Sequence, residues 1–151
     1  MDIQNDNQGR ALSSVFRGMR IATSSLSAER ARVDTIAKNI ANARTTLDPE
    51  TGLPYQREQV SFAPVMERVA GGPDRFAGIR VDEIVKDTSP FEEVFDPTHP
   101  DADERGVVLY PNVNTMKEMA DLVTAVRSYE ANLSVQENFE RMAERALRLA
   151  D

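Results

Sequence analysis

The 151-residue chain contains no cysteine and no tryptophan, and only 6% of its residues are aromatic. The absence of cysteine excludes a disulfide framework and a thiolate metal site. No apolar run reaches the roughly 18 residues that a membrane-spanning helix needs. Residues 1–8 lack a basic segment and an apolar segment, so we expect no cleavable secretory signal. The hydrophobic fraction of 40% favours an elongated or partly shared core over a dense globule.

The charge of the chain is negative overall and unevenly distributed. The formal net charge of −7 disfavours nucleic acid as a partner. Residues 10–44 carry a net charge of +5, residues 45–111 carry −8 and residues 112–151 carry −2. Two interpretations remain open. The charges belong to ordinary solvated faces, or a basic N-terminal helix lies beside an acidic C-terminal one, within or between subunits.

The last forty residues contain neither glycine nor proline and carry apolar or small residues at heptad spacing, which is typical of a helix packed lengthwise on another helix. One row consists of Met119, Val126, Leu133 and Leu147, and its companion consists of Leu122, Tyr129, Ala143 and Ala150. Gln136 and Glu140 interrupt the rows. Thr115 and Glu118 form a capping-box pattern, which predicts a start at Asn114 or Thr115. A helix from there to the end would be about 50 Å long, so it must project or find its partner in another subunit.

The segment from Arg10 to about Arg44 repeats the same pattern over more than four heptads. One row consists of Leu12, Met19, Leu26, Val33 and Ile40, and the other of Val15, Ala22, Ile36 and Ala43 with Glu29 as its polar break. Gly18 and the Thr23–Ser25 run weaken the intrinsic helicity, so this helix should depend on packing. Because asparagine tolerates the left-handed conformation that closes a helix, we expect a C-cap near Asn42.

The middle of the chain, residues 45–111, holds all eight prolines and the single histidine. Turn residues separate four segments that favour strands: Tyr55–Met66, Phe76–Lys86, Pro90–Phe95 and Gly106–Tyr110. The sequence therefore predicts an α+β fold, in which a small, mostly antiparallel β module of three to five strands is inserted between two long terminal helices packed as a coiled-coil-like pair. Its predicted divisions are a disordered tail (1–9), an N-terminal helix (10–44), a β-rich module (45–111) and a C-terminal helix (112–151).

The loop from Asp96 to Gly106 carries carboxylates at alternate positions before a glycine, which hints at a calcium site. The full calcium-loop pattern is not met and prolines stiffen the stretch, so we interpret it as a solvated acidic loop. His99 has no histidine or cysteine companion. No nucleophile elbow and no glycine-rich phosphate loop occur in the sequence. We therefore expect no catalytic site, no metal and no cofactor.

Two sets of motifs in the chain resemble a known family. The run Leu26–Arg30 followed by Asp34–Ala43 is similar to the N-terminal signature of the flagellar rod and hook axial proteins. A second set is similar to the proximal-rod members of that family: Ser89–Phe91, Asp96–Asp103, Gly106, Tyr110–Asn114, Glu118–Leu122, Arg127–Asn132 and Arg145–Leu147. Phe95 stands where tyrosine is expected, and Val107 where an aromatic residue often follows the glycine. The resemblance covers roughly residues 10–150 and is looser over 45–78.

This resemblance implies a structural subunit of the proximal rod, the axial shaft that transmits motor torque, and not an enzyme. It implies export through the flagellar type III apparatus without a cleaved signal and polymerisation in the periplasm. The implied partners are copies of the chain, other rod proteins, and ring and export components, without nucleic acid or stable membrane insertion. The alternative is a helical coiled-coil adaptor unrelated to flagella. The predicted assembly interface consists of Leu12, Met19, Leu26, Val33, Ile36, Asn39, Ile40, Asn42, Met119, Leu122, Val126, Tyr129, Leu133 and Leu147.

Overall fold

The computed structural model describes residues 3–49, 51–69 and 71–148, without the side chains of residues 3–12, 146 and 147. Its elements follow the chain in the order α1 (Ile3–Ala41), β1 (Glu58–Glu67), β2 (Arg75–Lys86), β3 (Glu92–Phe95), β4 (Val107–Tyr110) and α2 (Thr115–Arg148). Two long helices thus flank a small β module, which confirms the predicted α+β class. In the described part of the chain, neither helix is long and apolar enough to cross a membrane.

The β module consists of two separate two-stranded sheets, one formed by β1 and β2 and the other by β3 and β4. The second sheet is antiparallel, with Glu92 opposite Tyr110 and Phe95 opposite Val107. Each strand matches one of the four segments that the sequence favoured, with β1 and β2 each extending one residue beyond the predicted segment. Gly106 ends the loop between β3 and β4 with φ of 74°, and a Cβ there would lie 3.0 Å from the Phe95 ring. Glycine is therefore required at this turn.

The helix ends differ in part from the predicted ones. α1 begins at Ile3, seven residues before the predicted start at Arg10, and the residues between them include no proline to end a helix. α1 ends at Ala41, beside the predicted cap, and Asn42 Nδ2 donates to Lys38 O at 2.9 Å. The left-handed conformation expected of Asn42 was wrong, because only glycines have positive φ among the described residues. The predicted division into tail, helices and module stays a prediction.

α2 begins at Thr115, as predicted, but its N-terminus is capped in another way. Asn114 Oδ1 accepts a hydrogen bond from the Lys117 backbone N–H at 3.0 Å, so Asn114 is the N-cap. The prediction that Thr115 and Glu118 cap this helix as a capping box was wrong. The Glu118 carboxylate accepts hydrogen bonds from Asn39 and Arg57 instead.

The chain forms two compact units. The first comprises residues 1–30, 62–82 and 126–151. Its buried side chains are small, and they include Ala22, Ala28 and Ala143. The backbone of β2 approaches α1 closely at Gly78, whose missing Cβ leaves room for Ser24, and the Ile79 N–H donates to Ser24 Oγ at 3.1 Å.

The second unit comprises residues 31–61 and 83–125. Its buried apolar residues include Ile36, Tyr55, Val108, Pro111 and Ala125. Two polar residues, Asn39 and Glu118, are completely buried beside them. Burial of a carboxylate costs free energy unless it is paired and hydrogen-bonded, so the partners of Glu118 decide whether this core is stable.

Candidate assembly interface

A polar cluster of five residues occupies the second unit: Asn39, Tyr55, Arg57, Glu58 and Glu118. The Glu118 carboxylate accepts hydrogen bonds from Arg57 Nε at 2.7 Å and from Asn39 Nδ2 at 3.0 Å. Asn39 Oδ1 accepts from the Tyr55 hydroxyl and from the Glu58 backbone N–H, both at 2.9 Å. Asn39 Nδ2 also donates to Glu58 O at 2.8 Å. The cluster joins α1, the start of β1 and the start of α2 through satisfied hydrogen bonds.

Burial and charge act together on the Tyr55 hydroxyl. Desolvation, reinforced by the negative charges of Glu58 and Glu118, raises the pKa of Tyr55 to about 12. The hydroxyl therefore stays a donor to Asn39 across the physiological range. At the edge of the cluster, Lys38 Nζ donates to both carboxylate oxygens of Glu58, at 2.8 and 2.9 Å. This half-exposed ion pair adds less stability than the buried contacts, because water screens it.

Asn112 connects three backbone segments of the same unit. Its Oδ1 accepts from the Arg57 N–H at 2.9 Å, and its Nδ2 donates to the carbonyls of Asp87 and Ser89, both at 3.0 Å. Hydrogen bonds from the Ser89 hydroxyl and N–H hold the pKa of Asp87 below its usual range, with a smaller contribution from Arg57. Two asparagines of the Tyr110–Asn114 motif thus have structural roles, since Asn112 ties these segments together and Asn114 caps α2.

The acidic loop between β3 and β4 uses its carboxylates to close its own turns. Asp96 Oδ1 accepts from the Thr98 N–H at 3.1 Å and its hydroxyl at 2.7 Å. Asp103 Oδ1 accepts from the N–H groups of Arg105 and Val107, at 2.8 and 2.9 Å. These hydrogen bonds lower the pKa of Asp96 and of Asp103. Among the described residues, no group of three or more acidic, histidine or cysteine side chains could hold a metal ion.

The α2 helix presents two faces with different surroundings. The inner face is partly or fully buried and includes Glu118, Leu122, Ala125, Tyr129, Phe139 and Ala143. Successive residues of a helix are rotated by about 100° around its axis. A second apolar row therefore lies on a neighbouring face of α2, and this face is exposed. This outer stripe consists of Met116, Met119, Val123, Val126 and Leu133. The exposed fraction is 49% for Met119, 38% for Val126 and 40% for Leu133.

The residues predicted for the assembly interface therefore occupy different environments. On α2, Met119, Val126 and Leu133 are exposed, whereas Leu122 and Tyr129 are half-buried. On α1, Ile36 and Asn39 are buried, and the half-buried set consists of Met19, Leu26, Val33 and Ile40. Asn42, just after the helix, is also half-buried. The side chains of Leu12 and Leu147 lie outside the described residues. The two rows predicted for the C-terminal helix thus belong to two faces.

Asn39 was the one member of the polar cluster among the predicted interface residues. The heptad periodicity of the sequence did not reveal the other four. Tyr55 and Arg57 come from an extended segment, and Glu118 from the first turn of α2. One signal was available for Glu118: it falls on a heptad row with Ala125 and Phe139, which places a carboxylate among inward-facing positions. A charged residue at such a position needs a buried partner.

Two protein-family models match the chain. The model described as "Flagella basal body rod protein" matches residues 19–46, and the model "Flagellar basal body rod FlgEFG protein C-terminal" matches residues 104–149. The flagellar basal-body rod protein FlgC of Borreliella burgdorferi is 38% identical over 146 residues, which cover 88% of this chain and 95% of the relative. The chain belongs to the flagellar basal-body rod protein family.

Two other members of this rod family are similarly close. FlgC of Bacillus subtilis is 36% identical, with 89% of this chain and 97% of the relative covered. FlgC of Aquifex aeolicus is 39% identical, with 86% and 96% covered. These matches confirm the function predicted from the sequence, a structural subunit of the flagellar basal-body rod, and nothing in them favours the coiled-coil adaptor. The two matched regions include Asn39, Glu118 and the whole outer stripe.

Proposed function

We propose that this rod protein is a non-enzymatic subunit of the proximal rod, and that its outer stripe is the surface by which it contacts neighbouring subunits of the torque-transmitting shaft. The exposed apolar row on α2 carries this proposal. Exposed apolar side chains that are grouped on one face of a protein often mark an interaction site. Spacings of three and four residues suit the side of another helix. The proposed neighbours are copies of this chain and other rod proteins.

The inner face of α2 is already occupied by its own chain. Glu118 contacts Asn39, and Phe139 lies against Gly18. The outer stripe lies about 100° around the helix from these residues, so it can bind a neighbour while the inner contacts persist. One patch that meets a different patch on the next copy gives an open helical assembly when the rotation between copies does not close into a ring, and this is the symmetry a shaft needs.

Charge supports a specific choice of the opposing patch. Residues 10–44 carry a net charge of +5, whereas residues 112–151 carry −2. The exposed face of α1 includes Arg20 and Arg30, and the exposed positions along α2 include Glu130 and Glu137. Opposite charges across an interface favour the correct partner and register. We therefore assign the face that meets the outer stripe to α1 of the neighbouring subunit.

A non-enzymatic role fits the way the polar groups are used. Within the described residues, the carboxylates of Glu118, Asp96 and Asp103 accept hydrogen bonds from other groups of the chain. Such groups hold local structure and are not presented to a substrate. Their arrangement supports a scaffold that keeps the helices and the β module together.

The location and route of the protein form a further part of the proposal. We propose that it leaves the cytoplasm through the flagellar type III export apparatus without cleavage and assembles in the periplasm, where it also meets ring and export components. Membership of the rod family supports this route. Detection of the chain in the periplasm of a wild-type strain, but not of a strain without the export apparatus, tests it. Equal amounts in both strains would contradict it.

Substitutions in the outer stripe test the interface. Val126→Glu and Leu133→Glu place a carboxylate in the proposed contact, so each should abolish rod completion and motility in a strain that lacks the native gene. Ala131→Glu is the matched control, because Ala131 is exposed and lies about 160° around the helix from Leu133. Circular dichroism should show equal helix content in all three proteins. Normal motility with Val126→Glu and Leu133→Glu would show that the stripe is not the interface.

A further inference from the structure

We infer that the outward face of the β3–β4 sheet is a second contact surface between subunits, separate from the outer stripe, and that its occupant is the first half of α1 from another copy of the chain. The inference rests on the proposed function only in that copies of the chain assemble. It adds a second surface to that assembly and names the part of α1 that meets it.

The outward face of this sheet is apolar. The antiparallel register and the alternation of side chains place four residues on it: Glu93, Phe95, Val107 and Leu109. Val108 lies on the opposite face and is completely buried, whereas Phe95 is 72% exposed and Leu109 is 39% exposed. The solvated face of an antiparallel sheet usually carries polar residues. Three apolar residues out of four on this face therefore favour a partner that covers them.

Phe95 is held in place although most of its side chain is in solvent. A Cβ on Gly106 would lie 3.0 Å from Phe95 Cε2 and 3.0 Å from Pro97 Cβ, so the ring rests against the glycine and beside the proline. Hydrogen bonds to the carboxylates of Asp96 and Asp103 close the turns of the adjoining loop. An aromatic side chain that is already fixed loses little freedom on binding, and aromatic residues often dominate the binding energy of an interface.

The surroundings of this apolar face are strongly acidic. Residues 92–110 carry six acidic side chains and one basic side chain, a net charge of −5. Glu92, Glu93 and Glu104 are exposed, and none of them forms an ion pair with another described residue. An apolar face among unpaired carboxylates fits a partner that combines apolar and cationic side chains.

The first half of α1 has this combination. Phe16 is 52% exposed, and Arg17 beside it forms no ion pair with another described residue. Arg20, one turn after Phe16, pairs with Glu67, but both side chains of that pair are more than half exposed. Water screens such a pair, so Arg20 can exchange its partner. Two aromatic rings favour edge or offset packing, and guanidinium groups form strong hydrogen bonds with carboxylates.

α1 is long enough to serve both contact surfaces. Its 39 residues extend about 58 Å at 1.5 Å per residue, whereas the outer stripe from Met116 to Leu133 extends about 26 Å. A contact of residues 13–20 with the sheet leaves residues 21–41, which extend about 31 Å. This length can cover the outer stripe of a different neighbour. The two surfaces can therefore act together in one shaft.

Cysteine cross-linking in assembled rods tests the contact, because the chain has no cysteine of its own. Two copies with different epitope tags are expressed together in a strain that lacks the native gene. One copy carries Ser13→Cys and the other carries Glu93→Cys, both at exposed positions. Isolated basal bodies are treated with a short bis-maleimide, and a covalent dimer with both tags should form. Thr88→Cys replaces Glu93→Cys in the control and should give no such dimer, because Thr88 is exposed but lies outside the sheet.

An exchange of charges across the contact gives a second test. Glu93→Arg and Arg17→Glu each bring like charges together, so each should reduce swimming in soft agar. The double variant restores opposite charges and should recover most of the lost swimming. Arg127→Glu, at an exposed position of α2, is the control and should not rescue Glu93→Arg.

Three results would overturn the inference. The first is the absence of the mixed dimer in motile cells. If Glu93→Cys prevents motility, Arg105→Cys at the exposed turn of the same sheet takes its place, and absence of the dimer there counts equally. The second is an equal yield of dimer with Thr88→Cys. The third is a double charge variant that swims no better than Glu93→Arg alone.

A separate pair of copies distinguishes this inference from the proposed function. Met119→Cys in one copy and Ala37→Cys in the other report on the outer stripe and the second half of α1, and both positions are exposed. A dimer from this pair alone would retain the stripe as an interface and overturn the inference about the sheet. A dimer from Ser13→Cys and Glu93→Cys alone would support the sheet contact and contradict the stripe.

Discussion

The α-carbon of Gly18 lies directly against the ring of Phe139, and a Cβ at that position would come within 2.5 Å of Cζ. Glycine in a helix is destabilising by about 1 kcal/mol relative to alanine, because it loses more backbone freedom on folding. Here the missing side chain allows α1 and α2 to approach. The residue that weakens α1 by itself therefore supports its packing.

Gly18→Ala should lower the free energy of unfolding, in spite of the better helix propensity of alanine. The methyl group would displace the Phe139 ring, and overpacking of this kind typically costs about 1–3 kcal/mol. Urea unfolding of the dilute subunit measures the change. The double variant Gly18→Ala/Phe139→Leu should recover part of the loss, since leucine can move away from the methyl. A stabilised Gly18→Ala protein would show that the contact is loose.

Glu29 interrupts the apolar row of α1, and its Oε2 is buried without a hydrogen-bond partner in the described structure. An unsatisfied buried acceptor costs about 1–3 kcal/mol. Glu29→Leu should therefore raise the free energy of unfolding of the isolated subunit. Asp34→Leu, at an exposed position of the same helix, is the control and should change stability little. Destabilisation by Glu29→Leu would show that the carboxylate has a favourable partner in solution.

Tyr55 makes the stability of the subunit depend on alkaline pH. Its pKa is raised from 10.0 to about 12 in the folded chain, so its contribution is fully present below pH 10 and is lost as the pH rises to 12. The loss should be on the order of 2 kcal/mol. Unfolding measured between pH 9 and about 12 should show this decline in the parent. Tyr55→Phe should have a flatter profile, and an identical slope in both proteins would contradict the assignment.

The acidic loop should not bind calcium. The Asp103 carboxylate is engaged by the N–H groups of Arg105 and Val107, and it also accepts from Arg105 Nε at 3.1 Å. Titration calorimetry with Ca²⁺ should show no stoichiometric binding to the folded protein. Asp103→Ala should lower stability through loss of the turn, with no effect on the calcium titration. A saturable micromolar site that disappears in Asp103→Ala would reverse this interpretation.

Much of the fold followed from local patterns. The four strands lie where alternation and turn residues predicted them, and Thr115 begins α2 as expected. These features depend on nearby residues, which one sequence displays. The position of the end of α1 was predicted as well, although Asn42 closes the helix through its side-chain amide and not through a left-handed backbone.

The faces of α2 were harder to predict, because their environment depends on distant residues. Apolar side chains occupy two adjacent faces, and periodicity could not tell which of them the chain itself covers. Glu118 lies on the inner face because Arg57, 61 residues away, and Asn39, 79 residues away, satisfy it. Ser24 was interpreted as a weakness of α1, whereas its Oγ accepts the N–H of Ile79 from β2.

The most direct test of the account is electron cryo-microscopy of isolated basal bodies from the organism that carries this chain, at a resolution that shows side chains. Density for the chain should lie in the shaft, and Met119, Val126 and Leu133 of each copy should contact α1 of a neighbouring subunit. Density for the chain outside the shaft, or within it with these three side chains facing solvent, would contradict the account.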